Sequence, residues 1–379
     1  MRIGVNALYL IPGGVGGTEI YLRNLLQAFA RLDVGHEFFV FTNAETGPDL
    51  IPAGMAHVPQ AVRAVNRPSR LLFEQTTLAR EARRLRVEVM FNPGFTAPAF
   101  PGCPNVTVFH DLQHKRHPEH FRRADLLAWN FFLALSVKRS RMLVADSEAT
   151  RVDLRRFYGV ADDRIVVAPL GVEPAFYDIG AEQAAARSPE PFFLSVSTLH
   201  PHKNLDNLLF AFAEFQRERP EWRLVMTGIR GFHTQAVEAR IAELGLDESV
   251  ELTGWVERSR LYDLFRRSTA MVYPSTFEGF GLPVVEAMAA GLPLACSNIE
   301  PLHGIVGGAA LEFAPEDRAG MVAAFRRLSS DAVLRAEMAA RGRARAAAFT
   351  WEETARKTLR AIESAEKWGQ PPITPVSRG

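Results

Sequence analysis

The stretch "AMVYPSTFEGFGLPVVEAMAAG" (Ala270–Gly291) reads as a strand, a glycine-rich turn and the start of a helix. Ala270–Tyr273 is the kind of apolar, β-branched run that fills a buried strand. Gly279 and Gly281 let the backbone turn tightly, and Pro283 suits the first turn of a helix. The same strand-to-helix alternation recurs along the chain. In the first half "RIGVNAL", "EFFVFT", "VEVMF", "NVTVFH", "RMLVAD" and "RIVVAPL" read as strands, between helical patterns such as "TEIYLRNLLQAFARL". In the second half "PFFLSVS", "WRLVMTG", "SVELTG", "AMVYPS", "LPLACS" and "AALEFA" repeat the architecture without repeating the sequence. Strands at this spacing predict βαβ units and parallel sheets.

With 379 residues the chain is long enough for two such domains. The expected organisation is an α/β protein with a doubly wound, Rossmann-like domain at 1–172 and a second at 191–350. Between them 173–190 carries prolines and no strand pattern, and reads as a linker. A helix at 351–368 is expected to pack back across both domains, followed by a flexible tail at 369–379. The two domains are expected to face each other across a cleft, with ligands outside the carboxyl ends of the strands.

Composition narrows the partners. A net charge of +1 gives no electrostatic reason to expect nucleic acid. Cys103 and Cys296 lie far apart and form no metal or redox spacing, which fits a reducing cytoplasm. The N-terminus shows no export signal, and the apolar run Leu126–Val137 is about half of the ~20 residues that span a bilayer. "FRRADLLAWNFFLALSVKRSRM" reads first as a core helix with basic ends, and second as a peripheral contact with anionic lipid on the inner face of the cytoplasmic membrane. His114, His117 and His120 recur every three residues, but Pro118 interrupts them and no Cys or carboxylate cluster completes a site, so no metal is expected there.

The quoted stretch also holds two carboxylates, Glu278 and Glu286. Eight residues of pure helix would span ~12 Å, and the turn shortens this by an amount the sequence does not fix. Distance alone therefore leaves open whether they are an acid/base pair for glycoside cleavage or two grips on a ligand. The neighbours favour gripping. Amides around Gly281 to Val284 form an anion site at a helix start, which suits a phosphate between two polyol contacts. A plain strand–turn–helix junction explains the segment equally well in isolation.

Glu278-Gly-Phe-Gly-Leu-Pro-Val-Val-Glu286 resembles the Glu-x7-Glu signature of retaining glycosyltransferase family 4, the group 1 glycosyltransferases of GT-B fold. "VADSEATRVDLRRFYGV", "RIVVAPLGVEPAF", "STLHPHKNLDNLLFAF" and "LTGWVERSRLYDLFRRSTAMVYPS" follow that family's order and spacing over most of residues 1 to 350. The style of "TLHPHKNLDNLL" is similar to bacterial mannosyltransferases of surface-polysaccharide assembly.

The resemblance implies roles residue by residue. Glu278 would hold hydroxyls of the transferred sugar, Glu286 the nucleotide ribose, and the amides of Gly279, Phe280, Gly281 and Leu282 would lie near the diphosphate. The glycine loop "PGGVGG" fails the dinucleotide fingerprint on spacing; by resemblance, Gly16 and Gly17 would place amides by the donor phosphate. His110, otherwise read as a half-buried neighbour of a capping Asp111, would sit beside the reacting sugar. Lys203 would clamp the diphosphate and stabilise the leaving group. Relatives pair this lysine with an arginine; Thr198 and His202 stand at those positions here, and Arg230 is the candidate substitute. Trp255 and Val256 would read the base.

The expected function is thus a retaining, metal-independent hexosyltransferase using a GDP- or UDP-linked sugar, mannosyl first, on a glycan or lipid-linked acceptor. No cofactor is expected, since there is no Asp-x-Asp for a metal-bound diphosphate. Two rivals stand beside it: a nucleotide-sugar-binding protein without transfer, and a UDP-sugar transferase acting on a small molecule. A dinucleotide oxidoreductase lacks both its glycine fingerprint and its ribose-binding acid.

Overall fold

Thirteen strands fall into two all-parallel sheets in the computed structural model, which describes residues 1–13, 16–32, 34–185 and 189–367. The chain divides into two units: residues up to Pro169 together with the helix Trp351–Lys367, and Leu170–Thr350.

The first unit is built on β1 (Arg2–Ala7), β2 (Glu37–Thr42), β3 (Ala56–Pro59), β4 (Val89–Asn92), β5 (Asn105–Phe109), β6 (Ser140–Ala145) and β7 (Ile165–Val167), in the order β3-β2-β1-β4-β5-β6-β7. Its central strands are covered on both faces, so that every residue of β5 is buried, the polar Asn105 and Thr107 included. The helix Gly17–Leu32 turns Tyr21, Leu22, Leu25, Leu26 and Phe29 to the sheet, and Phe29 stacks on Phe38 at 5.2 Å. The helix Trp351–Lys367 belongs to this unit: Trp351 meets Tyr21 edge-on, and Thr354 Oγ1 donates to the Pro169 carbonyl at 2.6 Å. One strand was not expected. β3, "AHVP", is a short edge strand whose residues are exposed or half-buried, so it lacks an apolar signature.

The second unit is built on β8 (Phe192–Val196), β9 (Arg223–Thr227), β10 (Val250–Gly254), β11 (Ala270–Tyr273), β12 (Leu294–Ser297) and β13 (Leu311–Phe313), in the order β10-β9-β8-β11-β12-β13. All six expected strands are present. Phe193, Phe215, Trp222 and Phe325 interlock at the centre of its core.

The segment read as a linker at 173–190 needs correcting. Pro174–Ala185 is a helix of the second unit, with Phe176 buried against Tyr262 and Phe265. A Cβ on Gly180 would fall 2.1 Å from the Ala289 carbonyl, so the glycine lets this helix lie directly on the helix Leu282–Ala289. The expected tail at 369–379 lies outside the described residues.

The reading of 121–142 as a core helix also changes. Arg123–Arg139 is helical, but only Leu133, Ser136 and Val137 are buried, while Leu127 and Phe131 are 73% and 63% exposed.

Candidate functional site

In a doubly wound sheet the ligand crevice opens where the strand order reverses, beyond the carboxyl ends. In the second unit that point lies between β8 and β11. The loops leaving these two strands carry Lys203 and Glu278, 75 residues apart in sequence, and bring them together: Lys203 Nζ lies 2.5 Å from Glu278 Oε1 and donates to Tyr273 Oη at 3.2 Å. Both charged side chains are nearly buried, 12% and 10% exposed. Backbone geometry fixes this meeting. Thr276 donates through N and Oγ1 to the His202 carbonyl, and Asn204, in the left-handed region, bonds the Pro274 and Pro315 carbonyls.

Gly281 then starts the helix Leu282–Ala289 with φ of 101°, a conformation that needs glycine. No side chain caps this helix start. Val284 N already donates to the Gly281 carbonyl at 2.9 Å and Pro283 has no N–H, so the anion-binding amides expected over 281–284 narrow to Gly281 and Leu282. Phe280 is a core residue, packed edge-on to Phe349, and offers a ligand only its backbone.

Glu286 sits one turn into this helix and is buried, 3.6 Å from Arg258 Nη2. Arg258 is in turn held by Glu173, which also accepts from Tyr262 Oη at 2.7 Å. Burial pushes the Glu286 carboxyl up to about 8 against the pull of Arg258. The sequence pointed to Glu286 but not to this support. Arg258 stood inside the quoted "TGWVERS", and Glu173 at the edge of the supposed linker, with no local signal that they meet.

The remaining candidates in this unit are placed nearby or turned away. His202 lies between His200, stacked at 5.8 Å, and Phe277, the neighbour of Glu278. Trp255 follows β10 and is 61% exposed, with Val256 half-buried beside it. Arg230 is exposed and its guanidinium pairs with Glu238 on the helix Thr234–Glu243.

In the first unit the order reverses between β1 and β4. Gly16, at φ 59°, accepts from the amides of Glu19 and Ile20 and opens the helix Gly17–Leu32, while the Gly13 amide donates to Glu19 Oε2 at 2.7 Å. His110 ends β5 with both ring nitrogens engaged, Nδ1 at 2.6 Å from Asp146 Oδ2 and Nε2 at 2.9 Å from the Pro93 carbonyl. Tyr21 and Phe95 pack edge-on against the ring. Asp146, which ends β6 in the quoted "VADSE", was not singled out in the sequence.

The histidine series divides. His114 is buried and meets Tyr158 Oη at 2.9 Å. His117 and His120 stack, and Glu119 joins them, so that one ligand atom from each lies within 4.8 Å of the others. A carboxylate thus does stand beside the histidines, contrary to the expectation. It is already bonded to His117 Nδ1 at 3.0 Å, and Lys115, Arg116, Arg122 and Arg123 flank the segment in sequence.

Family models match both halves of the chain. A family model described as "Glycosyltransferase Family 4" matches residues 15–176, and one described as "Glycosyl transferases group 1" matches residues 179–345. The chain is similar to O-antigen chain mannosyltransferase B of Escherichia coli, 29% identical over 266 residues, covering 68% of this chain and 70% of that protein. Among solved structures, sucrose-phosphate synthase from Thermosynechococcus elongatus superposes with a TM-score of 0.76 at 18% identity, covering 96% of this chain and 98% of that one. HepE of Anabaena, in complex with UDP and glucose, gives 0.73 at 18% identity, over 96% of this chain and 100% of its own.

Proposed function

We propose a reaction from one premise: the chain belongs to the group 1 glycosyl transferases, on a GT-B fold. The enzyme moves a hexosyl group from a nucleoside-diphosphate sugar to a glycan or lipid-linked acceptor of cell-surface polysaccharide assembly, with the anomeric configuration retained. The donor is held on the second unit. The observation that carries this reading is the Lys203–Glu278 pair at the switch point of the second sheet, beside the uncapped helix start at Gly281.

That arrangement suits gripping more than cutting. Glu278 is bound by an ammonium and serves sugar hydroxyls, not attack on the anomeric carbon. In the transfer the bond from the anomeric carbon to the diphosphate oxygen breaks, and its electron pair leaves with the phosphate. Lys203 and the amides of Gly281 and Leu282 stabilise the charge that develops there. The acceptor hydroxyl adds from the same face and gives its proton to the departing phosphate oxygen. GDP-mannose is the first donor, in line with the mannosyltransferase relative. A UDP-linked sugar is the second, favoured by the UDP of the HepE complex. Turnover of a panel of GDP-, UDP-, ADP- and dTDP-sugars, followed by mass spectrometry with and without chelator, tests the reading. It predicts release of one nucleotide, unaffected by chelator; release that stops in chelator overturns the metal-free clamp.

The Glu286 carboxyl gives a pH dependence. A ribose diol donates its hydroxyls best to an ionised carboxylate, and burial keeps Glu286 largely protonated at neutral pH. The donor KM is therefore expected to fall by roughly tenfold between pH 7 and 9 as the group ionises through about 8. In Arg258→Gln, which removes the stabilising cation, the fall moves to higher pH. A KM that stays flat across this range contradicts the assignment.

Contact with a membrane surface completes the proposal. No helix among the described residues is long and apolar enough to cross a membrane. Leu127 and Phe131, one turn apart and exposed, project between the basic ends Arg122–Arg123 and Lys138–Arg139, which suits an anionic interface. Flotation with phosphatidylglycerol vesicles is expected for the wild type and lost in Leu127→Ser/Phe131→Ser; equal flotation of both proteins argues against it.

A further inference from the structure

We propose that Asp146 and the Pro93 carbonyl hold His110 as a doubly protonated imidazolium, so that it serves the transfer as a fixed positive charge and not as a base, with Asp146 as its positioning residue. The inference deepens the transferase reading and rests on it for the role of the ring.

The geometry carries it. A neutral imidazole has one N–H and one lone pair, so it satisfies one donor position and one acceptor position. Here both ring nitrogens face groups that only accept: the Asp146 carboxylate at 2.6 Å and the Pro93 carbonyl at 2.9 Å. A neutral ring would leave a lone pair pointing at one of these oxygens. The charged ring satisfies both, and the contact to Asp146, at 2.6 Å, is short, in the direction that charge assistance takes an N–H···O bond.

Charge balance points the same way. Asp146 is 2% exposed, and its second oxygen, Oδ1, is buried without a hydrogen-bond partner among the described residues. With His110 neutral, a buried carboxylate would lose its counter-charge. Among the described residues, the other ionisable groups that act on the ring bring no competing cation. Asp111 is its acidic neighbour, and Tyr21, on the helix Gly17–Leu32, is kept protonated by burial. Burial of the ring lowers its pKa, but the Asp146 carboxylate and the Pro93 carbonyl outweigh this and leave it above the ordinary histidine value.

The surroundings hold the ring in place. Tyr21 and Phe95 meet it edge-on at 4.9 and 5.1 Å, and Phe95 itself adopts a φ of 69°, unusual for a residue with a side chain. Its neighbour Gly94 is needed because a Cβ there would fall 2.3 Å from Tyr9. The loop that presents the Pro93 carbonyl is therefore rigidly set. With no lone pair left on the ring, the acceptor proton must go elsewhere, which agrees with its transfer to the leaving phosphate oxygen.

The test has two arms. Nitrogen-15 NMR of histidine-labelled wild-type protein without substrate is expected to show both His110 ring nitrogens protonated at pH 8, where an ordinary histidine is neutral. A ring with one bare nitrogen at that pH overturns the proposal, whatever the enzyme's substrate. Kinetics follow with Asp146→Asn and the donor found by the panel. The wild-type kcat, read at saturating donor so that the Glu286 effect on KM drops out, is expected to be flat between pH 6 and 8. The variant should come closest to it at pH 5.5 and fall with rising pH by up to about tenfold per unit, because burial without Asp146 leaves the ring titrating at or below the ordinary histidine value. Asp146→Glu should restore much of the loss at pH 8. An equal loss at every pH would mean that Asp146 is merely structural, and would also overturn the proposal. Should Asp146→Asn fail to fold, the wild-type spectrum decides alone.

Discussion

Glu278→Gln is expected to lower turnover about 10²–10³-fold, the scale on which one preorganised polar contact to a transition state is lost. The substitution keeps the shape of the side chain and removes its charge, so the sugar loses an ionic acceptor and Lys203 loses its partner. The second loss has a stability cost, because the ammonium is then left against Tyr273 Oη with 12% of its side chain exposed. About 1–3 kcal/mol is reasonable for a buried polar group that loses its partner, enough to lower the melting temperature by several degrees and too little to unfold the unit. Turnover and thermal melting of the same preparation check both parts. A variant that turns over at nearly the wild-type rate would remove Glu278 from the site.

Lys203→Met is expected to cost a similar factor in kcat, for a different reason. The lysine provides the positive charge nearest Glu278, and the diphosphate oxygen gains its charge only as the sugar bond breaks. In this variant it is Glu278 that keeps its charge without a counter-ion. The double variant Lys203→Met/Glu278→Gln separates stability from catalysis. With neither charge present, melting should recover toward the wild type, while turnover should stay low and fall short of the product of the two single losses. Recovery of turnover along with stability would mean that the pair only holds the fold together.

The sequence was most legible where burial is complete. β11 and β12 have no exposed residue, and such runs announce themselves without regard to context. β3 did not, because an edge strand of "AHVP" has neither alternation nor an apolar run. Pro174–Ala185 was misread for an instructive reason. Pro174 and Gly180 look like punctuation, yet Pro174 occupies the first helical turn, where proline is welcome, and Gly180 is there for close packing against Ala289. Both are local signals whose meaning depends on a tertiary neighbour.

The site divides in the same way. Glu278 and Lys203 follow strand ends, where the rule for doubly wound sheets directs attention, Glu286 lies one turn into the helix that comes next, and their roles came from family resemblance. Their partners were not legible. Asp146 on His110, Arg258 on Glu286 and Glu173 on Arg258 are contacts over 36, 28 and 85 residues, and no periodicity encodes a pairing of that kind. Arg230 illustrates the opposite error. It has the right charge in a loop after the right strand, and the fold commits it to Glu238.

Calorimetric titration of GDP and UDP into the wild type, Lys203→Met and Glu286→Ala tests most directly whether the two carboxylates frame a nucleotide-sugar site. At pH 9, where Glu286 is ionised, one of the two nucleotides is predicted to bind the wild type and to bind both variants at least about tenfold more weakly, the loss expected for a buried charged contact. Binding of neither nucleotide, or binding that is indifferent to both substitutions, would contradict the account.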